Sequence, residues 1–328
     1  VIVSDSSSTP NDLADFVSLG RKSPIRVGIY GPNGVGKTTF IASVPHVFIL
    51  PTEDGAEQIR VPQWKKRVRA LDEFHNVIDM LLKKRHPYEA IGVDSASALE
   101  RLLIEAIEAR LRKVAAGKKE VPLTIAELNE DFGAGYQAVA LEWQCVTDRL
   151  DELRDQRGMS VWVTCPSKTE NIKNLEGRDF QSYTLDLFSA KSTKVLTSWL
   201  DYVLFARQDV LVSEEKKKVI AVKGQLSVYT RGTAVWLAKT RGEIPWPDRL
   251  PLDFDIVMRL HELIRAHGKD LAAWLTGRFE AAIGPLTVLD ADGAVKATKG
   301  FVKAISKGTW HLADAVCTQM ESEISGEG

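Results

Sequence analysis

"IRVGIYGPNGVGKTTF", residues 25–40, joins a short β-branched apolar run to a turn holding three glycines and a lysine. The run 25–30, bounded by Pro24 and Gly31, suits a buried strand, and a helix is expected to begin near Lys37. Between them lies the spacing GxxxxGK[ST], as Gly31, Pro32, Asn33, Gly34, Val35, Gly36, Lys37 and Thr38, with Thr39 following. Glycines let a loop turn successive main-chain N–H groups inward, and a helix N-terminus adds its own donors. The product is a cradle for an anionic phosphate. Lys37 brings a point charge to the outer phosphates of a nucleoside triphosphate, and Thr38 brings a hydroxyl that can ligate Mg2+. ATP and Mg2+ are the expected ligands.

Outward from this loop, strand and helix patterns alternate. "HVFIL" (46–50), "YEAIGVD" (88–94) and "MSVWVTC" (159–165) read as strands, while 71–84, 98–114 and 136–156 repeat apolar residues at helical spacing. Such alternation predicts a parallel sheet wrapped by helices on both faces. Residues 115–135 break the pattern with glycines, lysines and a proline, predicting a loop with a short helix inside. After Leu200, "DYVLFAR", "KKKVIAVKG" and "AVWLAKTRG" are short strand-like runs, expected as edge strands and hairpins. The expected division is a flexible tail over 1–20, an α/β core over 21–254, and a helical extension over 255–328 with an acidic end.

Composition narrows the function classes. A net charge of −1 excludes a uniformly basic nucleic-acid coat, though not a local basic face. Three scattered cysteines without CxxC spacing, and six histidines without metal spacing, give no zinc signature and fit a reducing cytoplasm. No apolar run approaches the ~20 residues needed to span a bilayer, so no membrane association is expected.

Two acidic elements follow strands. Asp94 ends "AIGVD", where a carboxylate at the C-terminal end of a buried parallel strand faces the phosphate crevice and can hold the magnesium shell; capping the next helix is its alternative use. In "LPTEDG" (50–55), Glu53 or Asp54 is placed to accept a proton from an attacking water, with Glu53 preferred; a turn built by Asp54 and Gly55 is the plainer reading.

In motif order, "GPNGVGKTTF", "PTEDG", "AIGVDS", "DFGAGY", "SVWVTC", "LDYVLFAR" and "AKTRGEIP" resemble the RecA-type ATPase core over residues 24–255. Within that group the chain is similar to small phage-encoded proteins described as nucleotide-binding or single-strand annealing ATPases. The resemblance implies a RecA-like P-loop NTPase core with antiparallel edge hairpins, acting in phage recombination or replication in the host cytoplasm as a homo-oligomeric ring or filament, with other replication or recombination proteins as further partners. Lys239 and Arg241, expected to alternate on one face of a strand, would then reach in trans to a neighbour's ATP; a solvated basic edge is the other reading. The resemblance also puts single-stranded DNA along the 115–135 region, with Lys118 and Lys119, and along 167–183, with Lys168, Lys173 and Arg178 beside Phe180 and Tyr183. A mixed-charge surface loop is the alternative there. Where relatives carry a polar or histidine γ-phosphate sensor, this chain has Thr164, Cys165, Pro166 and Ser167, leaving Thr164 or Ser167 for that task. A small-molecule P-loop kinase and a nucleotide-dependent switch without DNA activity are the competing functions.

Overall fold

A computed structural model describes residues 23–115, 122–130, 132–174, 177–215, 218–242 and 244–325. The expected tail over 1–20, the pair Lys118 and Lys119, and the last three residues lie outside them.

The first strand, β1 (Arg26–Gly31), is buried from its second residue onward and leads through the glycine loop into α1 (Lys37–Ala42). β2 (Val47–Pro51), α2 (Leu71–Lys83), β3 (Ala90–Asp94) and α3 (Ala96–Ala115) follow, each within about two residues of the expected bounds. After α4 (Ile125–Glu130), the short helix anticipated inside the 115–135 segment, come α5 (Ala134–Arg157) and β4 (Ser160–Ile172). β5 (Phe180–Leu185), α6 (Ala190–Trp199), β6 (Tyr202–Glu215), β7 (Lys218–Tyr229) and β8 (Arg249–Pro251) complete the sheet region. The chain ends in α7 (Phe254–His267), α8 (Leu271–Leu289), α9 (Ala291–Ser306) and α10 (Trp310–Ser325).

The sheet order is β2-β3-β4-β1-β6-β7-β8, parallel from β2 through β6 and antiparallel beyond. This is a mixed α/β fold with a mostly parallel central sheet. Strands buried on both faces need continuous apolar runs, and that is what the sequence supplies. One face packs α1 and α7 through Phe40, Trp162, Phe254 and Leu260, and the same apolar cluster continues through Phe279, Phe301 and Met320 of α8 to α10. On the other face, Phe74 of α2, Leu99 of α3, Trp143 of α5 and Leu196 of α6 cover Ile91, Val161 and Phe205. Gly31 is required where β1 meets β6: a Cβ there would sit 1.9 Å from the Ala206 carbonyl oxygen.

Two expectations are corrected. The stretch 167–183 is no loop: β4 runs on to Ile172 and pairs antiparallel with β5, Ser167 opposite Leu185 and Ile172 opposite Phe180, forming a two-stranded ribbon. Nor do Lys239 and Arg241 stand on a strand. Between Tyr229 and β8 the described residues make only isolated bridges, Trp236 with Tyr183 and Lys239 with Val203, because Trp236 tucks against Phe205 and Tyr229 while Tyr30 Oη donates to the Leu237 carbonyl at 2.6 Å. Side-chain anchoring thus replaces a backbone ladder.

His261 fastens α7 to the sheet. Its Nδ1 lies 3.0 Å from the Tyr202 hydroxyl, and the ring packs edge-on to Tyr202 and near Trp246. Burial, assisted by Arg265 and opposed by Asp201, pulls its pKa down to about 4. The unfolded chain takes up this proton near pH 6.5. Between those values it therefore binds more protons than the folded one, so stability present above about pH 6.5 is lost as pH falls towards 4. Urea midpoints at pH 7 and pH 5 should show a drop in the native protein that shrinks in His261→Asn, the difference amounting to at most about 1.4 kcal/mol per pH unit. Equal drops would remove His261 as the cause.

Candidate functional site: a glycine cradle and a held carboxylate

The C-terminal ends of β1, β2, β3 and β4 converge on one edge, so the residues that follow each strand share a crevice. The loop after β1 turns through Gly34 (φ 76°) and Gly36 (φ 99°), left-handed conformations that cost glycine little. A Cβ on Gly34 would meet nothing within 4 Å, so its role is to let the backbone turn. Pro32, Asn33 and Gly34 are exposed, Val35 is buried as an anchor, and Thr39 is exposed at the start of α1.

Lys37 is buried and donates to the main-chain carbonyls of Gly31 (2.8 Å) and Pro32 (2.9 Å). Burial lowers its pKa, with the negative charge of Asp94 and Glu53 among the opposing effects. Two carbonyls are neutral acceptors, weaker partners for an ammonium than a phosphate oxygen would be.

Asp94 is the best-held group in the crevice. Thr38 Oγ1 donates to its Oδ2 at 2.9 Å, Thr164 Oγ1 donates to its Oδ1, and the carboxylate is buried. A Ser or Thr hydroxyl beside a strand-end carboxylate is the oxygen donor set a hydrated Mg2+ requires. Ser95 adds a fully buried Oγ with no hydrogen-bond partner among the described residues. The residues therefore fit the metal: Thr38 and Asp94 would hold it. Thr164 is committed to Asp94, which makes it a support for the carboxylate.

Glu53 and Asp54 part company here. The Thr52 and Glu53 amides donate to the Asp94 carbonyl at 2.7 and 3.2 Å, tying the end of β2 to the end of β3. Asp54 points outward into an ion pair with Arg67 at 3.0 Å, while half-buried Glu53 has no side-chain partner among the described residues and acts electrostatically on Lys37. Glu53 is thus the carboxylate at the loop.

The basic residues divide as well. Lys168 donates to the Leu187 carbonyl at 2.5 Å and pairs with Glu170 at 3.2 Å, so it serves the base of the ribbon. Lys173 and Arg178 are exposed near the ribbon's tip, unpaired among the described residues. Lys239 Nζ donates to the Thr197 carbonyl, and Arg241 donates to the Ser198 carbonyl at 3.0 Å and pairs with Asp201 at 3.2 Å. Both therefore sit at the C-terminal end of α6, where cations complement the helix dipole. They stand level with Val203 and Asp201, the entry to β6, which is the opposite end of the sheet from their own glycine loop.

Arg207 escaped the motif reading. On β6 it stacks over Tyr229 (5.0 Å) and Trp236 (5.1 Å) and borders, with Tyr183 and Phe205, a recess of about 360 Å³ against Pro32 to Val35. The only sequence signal was its place two residues beyond a buried aromatic in "LFAR", which shows no neighbour across the sheet.

Among the described residues no cluster of three or more His, Cys, Asp or Glu could hold a metal on its own, and no helix is long and apolar enough to cross a membrane. No curated protein matches the chain. Among solved structures, the chain is similar to the crystal structure of the RadB recombinase, at 16% identity over 63% of this chain and 87% of that one, with a TM-score of 0.31. Residues 23–242, two-thirds of the chain and the whole of the crevice just described, match the family described as "AAA domain", and the chain belongs to that family of nucleotide-binding ATPase domains.

Proposed function

We propose that this chain binds ATP with Mg2+ and hydrolyses it in assemblies of its own copies on single-stranded DNA, in phage recombination or replication of the annealing or strand-exchange kind. The observation that carries the ATPase reading is Asp94 held from both sides by Thr38 and Thr164, at the mouth of a glycine cradle that already contains a buried lysine. Main-chain amides from Asn33 to Thr39 and the Lys37 ammonium would take the phosphates, Lys37 exchanging two neutral carbonyls for anionic oxygens. Mg2+, when bound by Thr38 and Asp94, supplies charge neutralisation to the phosphate oxygens. Glu53 accepts a proton from water as its oxygen bonds to the γ-phosphorus and the bond to the β–γ bridging oxygen breaks, giving ADP and phosphate.

The DNA half is supported by the ribbon of β4 and β5. It leaves the sheet from the same edge as the glycine loop, since Gly31 pairs with Pro166, and it carries Lys173 and Arg178 near its tip with Phe180 half-buried behind them. Cationic side chains near an aromatic suit a flexible phosphodiester strand. Hydrolysis measured with and without single-stranded DNA should show stimulation that weakens with salt. In Lys173→Glu/Arg178→Glu the DNA-dependent part should fall and the salt slope should decrease by about one per lost phosphate contact. No stimulation and no salt-sensitive binding would reject the DNA half; transfer of phosphate to a small acceptor would favour a kinase.

A further inference from the structure

β1 and β6 are parallel neighbours with Tyr30 opposite Phe205, so two residues further on Pro32 and Arg207 come level, on strands that lie about 4.8 Å apart. Pro32 is also where the Lys37 ammonium ends, donating to its carbonyl and to that of Gly31. The end of the cradle where Lys37 meets the outer phosphates is therefore the end that faces Arg207. Between them lies the recess of about 360 Å³, walled by Pro32 to Val35 on one side and by Tyr183 and Arg207 on the other. Arg207 is the charged residue among the described ones that line it.

The guanidinium is held in place but its donors are scarcely used. It stacks over Tyr229 and Trp236, which fixes its plane, yet among the described residues Nε has no hydrogen bond and Nη2 makes one long contact, 3.4 Å, to the Tyr229 hydroxyl. Its carboxylate neighbour Asp209 stands 3.7 Å from Nε, beyond hydrogen-bonding distance. Asp209 is engaged elsewhere: Ser227 Oγ donates to it at 2.7 Å, Tyr229 Oη at 2.6 Å, and Arg249 pairs with it as well. Two guanidinium groups thus share one carboxylate, and Arg207 has the weaker share. An arginine carries five N–H donors in a fixed fork that matches phosphate oxygens in pairs. We propose that Arg207 binds the terminal phosphate of the nucleotide held in the glycine loop of its own chain, and stabilises the charge that gathers on its oxygens as the bond to the β–γ bridging oxygen breaks. The assignment rests on the ATPase reading above and adds to it a catalytic cation from the same chain.

Arg207→Met is the decisive variant, because an unbranched stem still packs against Tyr229 and Trp236 while the charge is gone. Single-turnover hydrolysis by the full chain should fall by about 10²-fold or more, the loss that follows removal of one transition-state donor. In a fluorescent-nucleotide competition ATP should bind about tenfold more weakly and ADP as tightly as before, since ADP has no terminal phosphate for the guanidinium to hold. Arg207→Lys, which returns a charge without the paired donors, should recover part of both. A residue that only packs the two rings would behave otherwise: ATP and ADP affinities would fall together with the urea midpoint, and that result overturns the assignment. A native ratio of ATP to ADP affinity in Arg207→Met overturns it too. Mixing Arg207→Met with Lys37→Ala should give turnover no higher than the sum of the separate proteins, because cation and loop must belong to one chain; recovery above the sum would put Arg207 in a neighbour's site and overturn the assignment. Lys37→Ala alone keeps the two readings apart. Native turnover in both variants removes the ATPase reading, whereas an inactive Lys37→Ala beside a native Arg207→Met removes only the role of Arg207.

Discussion

Lys37→Ala should reduce ATP turnover by about 10²–10³, the usual loss when one charge-stabilising donor is removed from a phosphoryl-transfer site. Nucleotide affinity should weaken at the same time. The two effects share one cause. The ammonium is buried, so little water screens it, and its acceptors among the described residues are the Gly31 and Pro32 carbonyls. An incoming triphosphate offers charged oxygens in their place, and the gain is felt in binding and in the transition state. Lys37→Arg should not rescue turnover, because the planar guanidinium is larger than the pocket that accepts a compact ammonium. A fluorescent-nucleotide titration together with a phosphate-release assay checks both parts. Unfolding of the variant is excluded by its circular dichroism spectrum, and a variant with native turnover would show that the cradle is not where ATP is processed.

The contrast between local and distant information explains what the sequence could and could not show. β1, the glycine loop and α1 were legible because a β-branched run, left-handed glycines and a helix start all lie within sixteen residues, 25–40. Asp94 was legible for a similar reason, as a polar end to an apolar strand. Its support was not: Thr164 lies 70 positions away, and it is the parallel pairing of β4 with β3 on one side and β1 on the other that brings the hydroxyls of Thr164 and Thr38 onto one carboxylate. The polar ribbon of β4 and β5 looked like a loop because lysine, glutamate, asparagine and threonine hide a strand that has no buried face to impose apolar alternation. "AVWLAKTRG" erred the other way. Its apolar residues belong to side-chain anchoring against Phe205 and Tyr229, which composition cannot distinguish from a strand.

Glu53→Gln should lower turnover by about 10²–10⁴, the span that general-base assistance supplies, with nucleotide binding nearly retained. Asp54→Asn should cost far less. The adjacent carboxylates are separated by what the backbone does between them. The Glu53 amide is hydrogen-bonded to the Asp94 carbonyl, which pins that residue to the end of β3, whereas Asp54 is turned outward to Arg67, an exposed pair of the sort worth no more than about 1 kcal/mol. Glutamine keeps the size of Glu53 and removes only its basicity and its charge, so the substitution separates proton transfer from packing. Loss of the charge opposing the lowered pKa of Lys37 is a side effect acting on binding, and it is read independently in the nucleotide titration. Single-turnover hydrolysis is the measurement, because it isolates chemistry from product release. If Glu53→Gln turns over at the native rate while Asp54→Asn is slow, the roles assigned to the two carboxylates are reversed. If neither changes, the attacking water is activated without protein carboxylates at β2, and the chain acts as a switch whose nucleotide state, not its turnover, does the work.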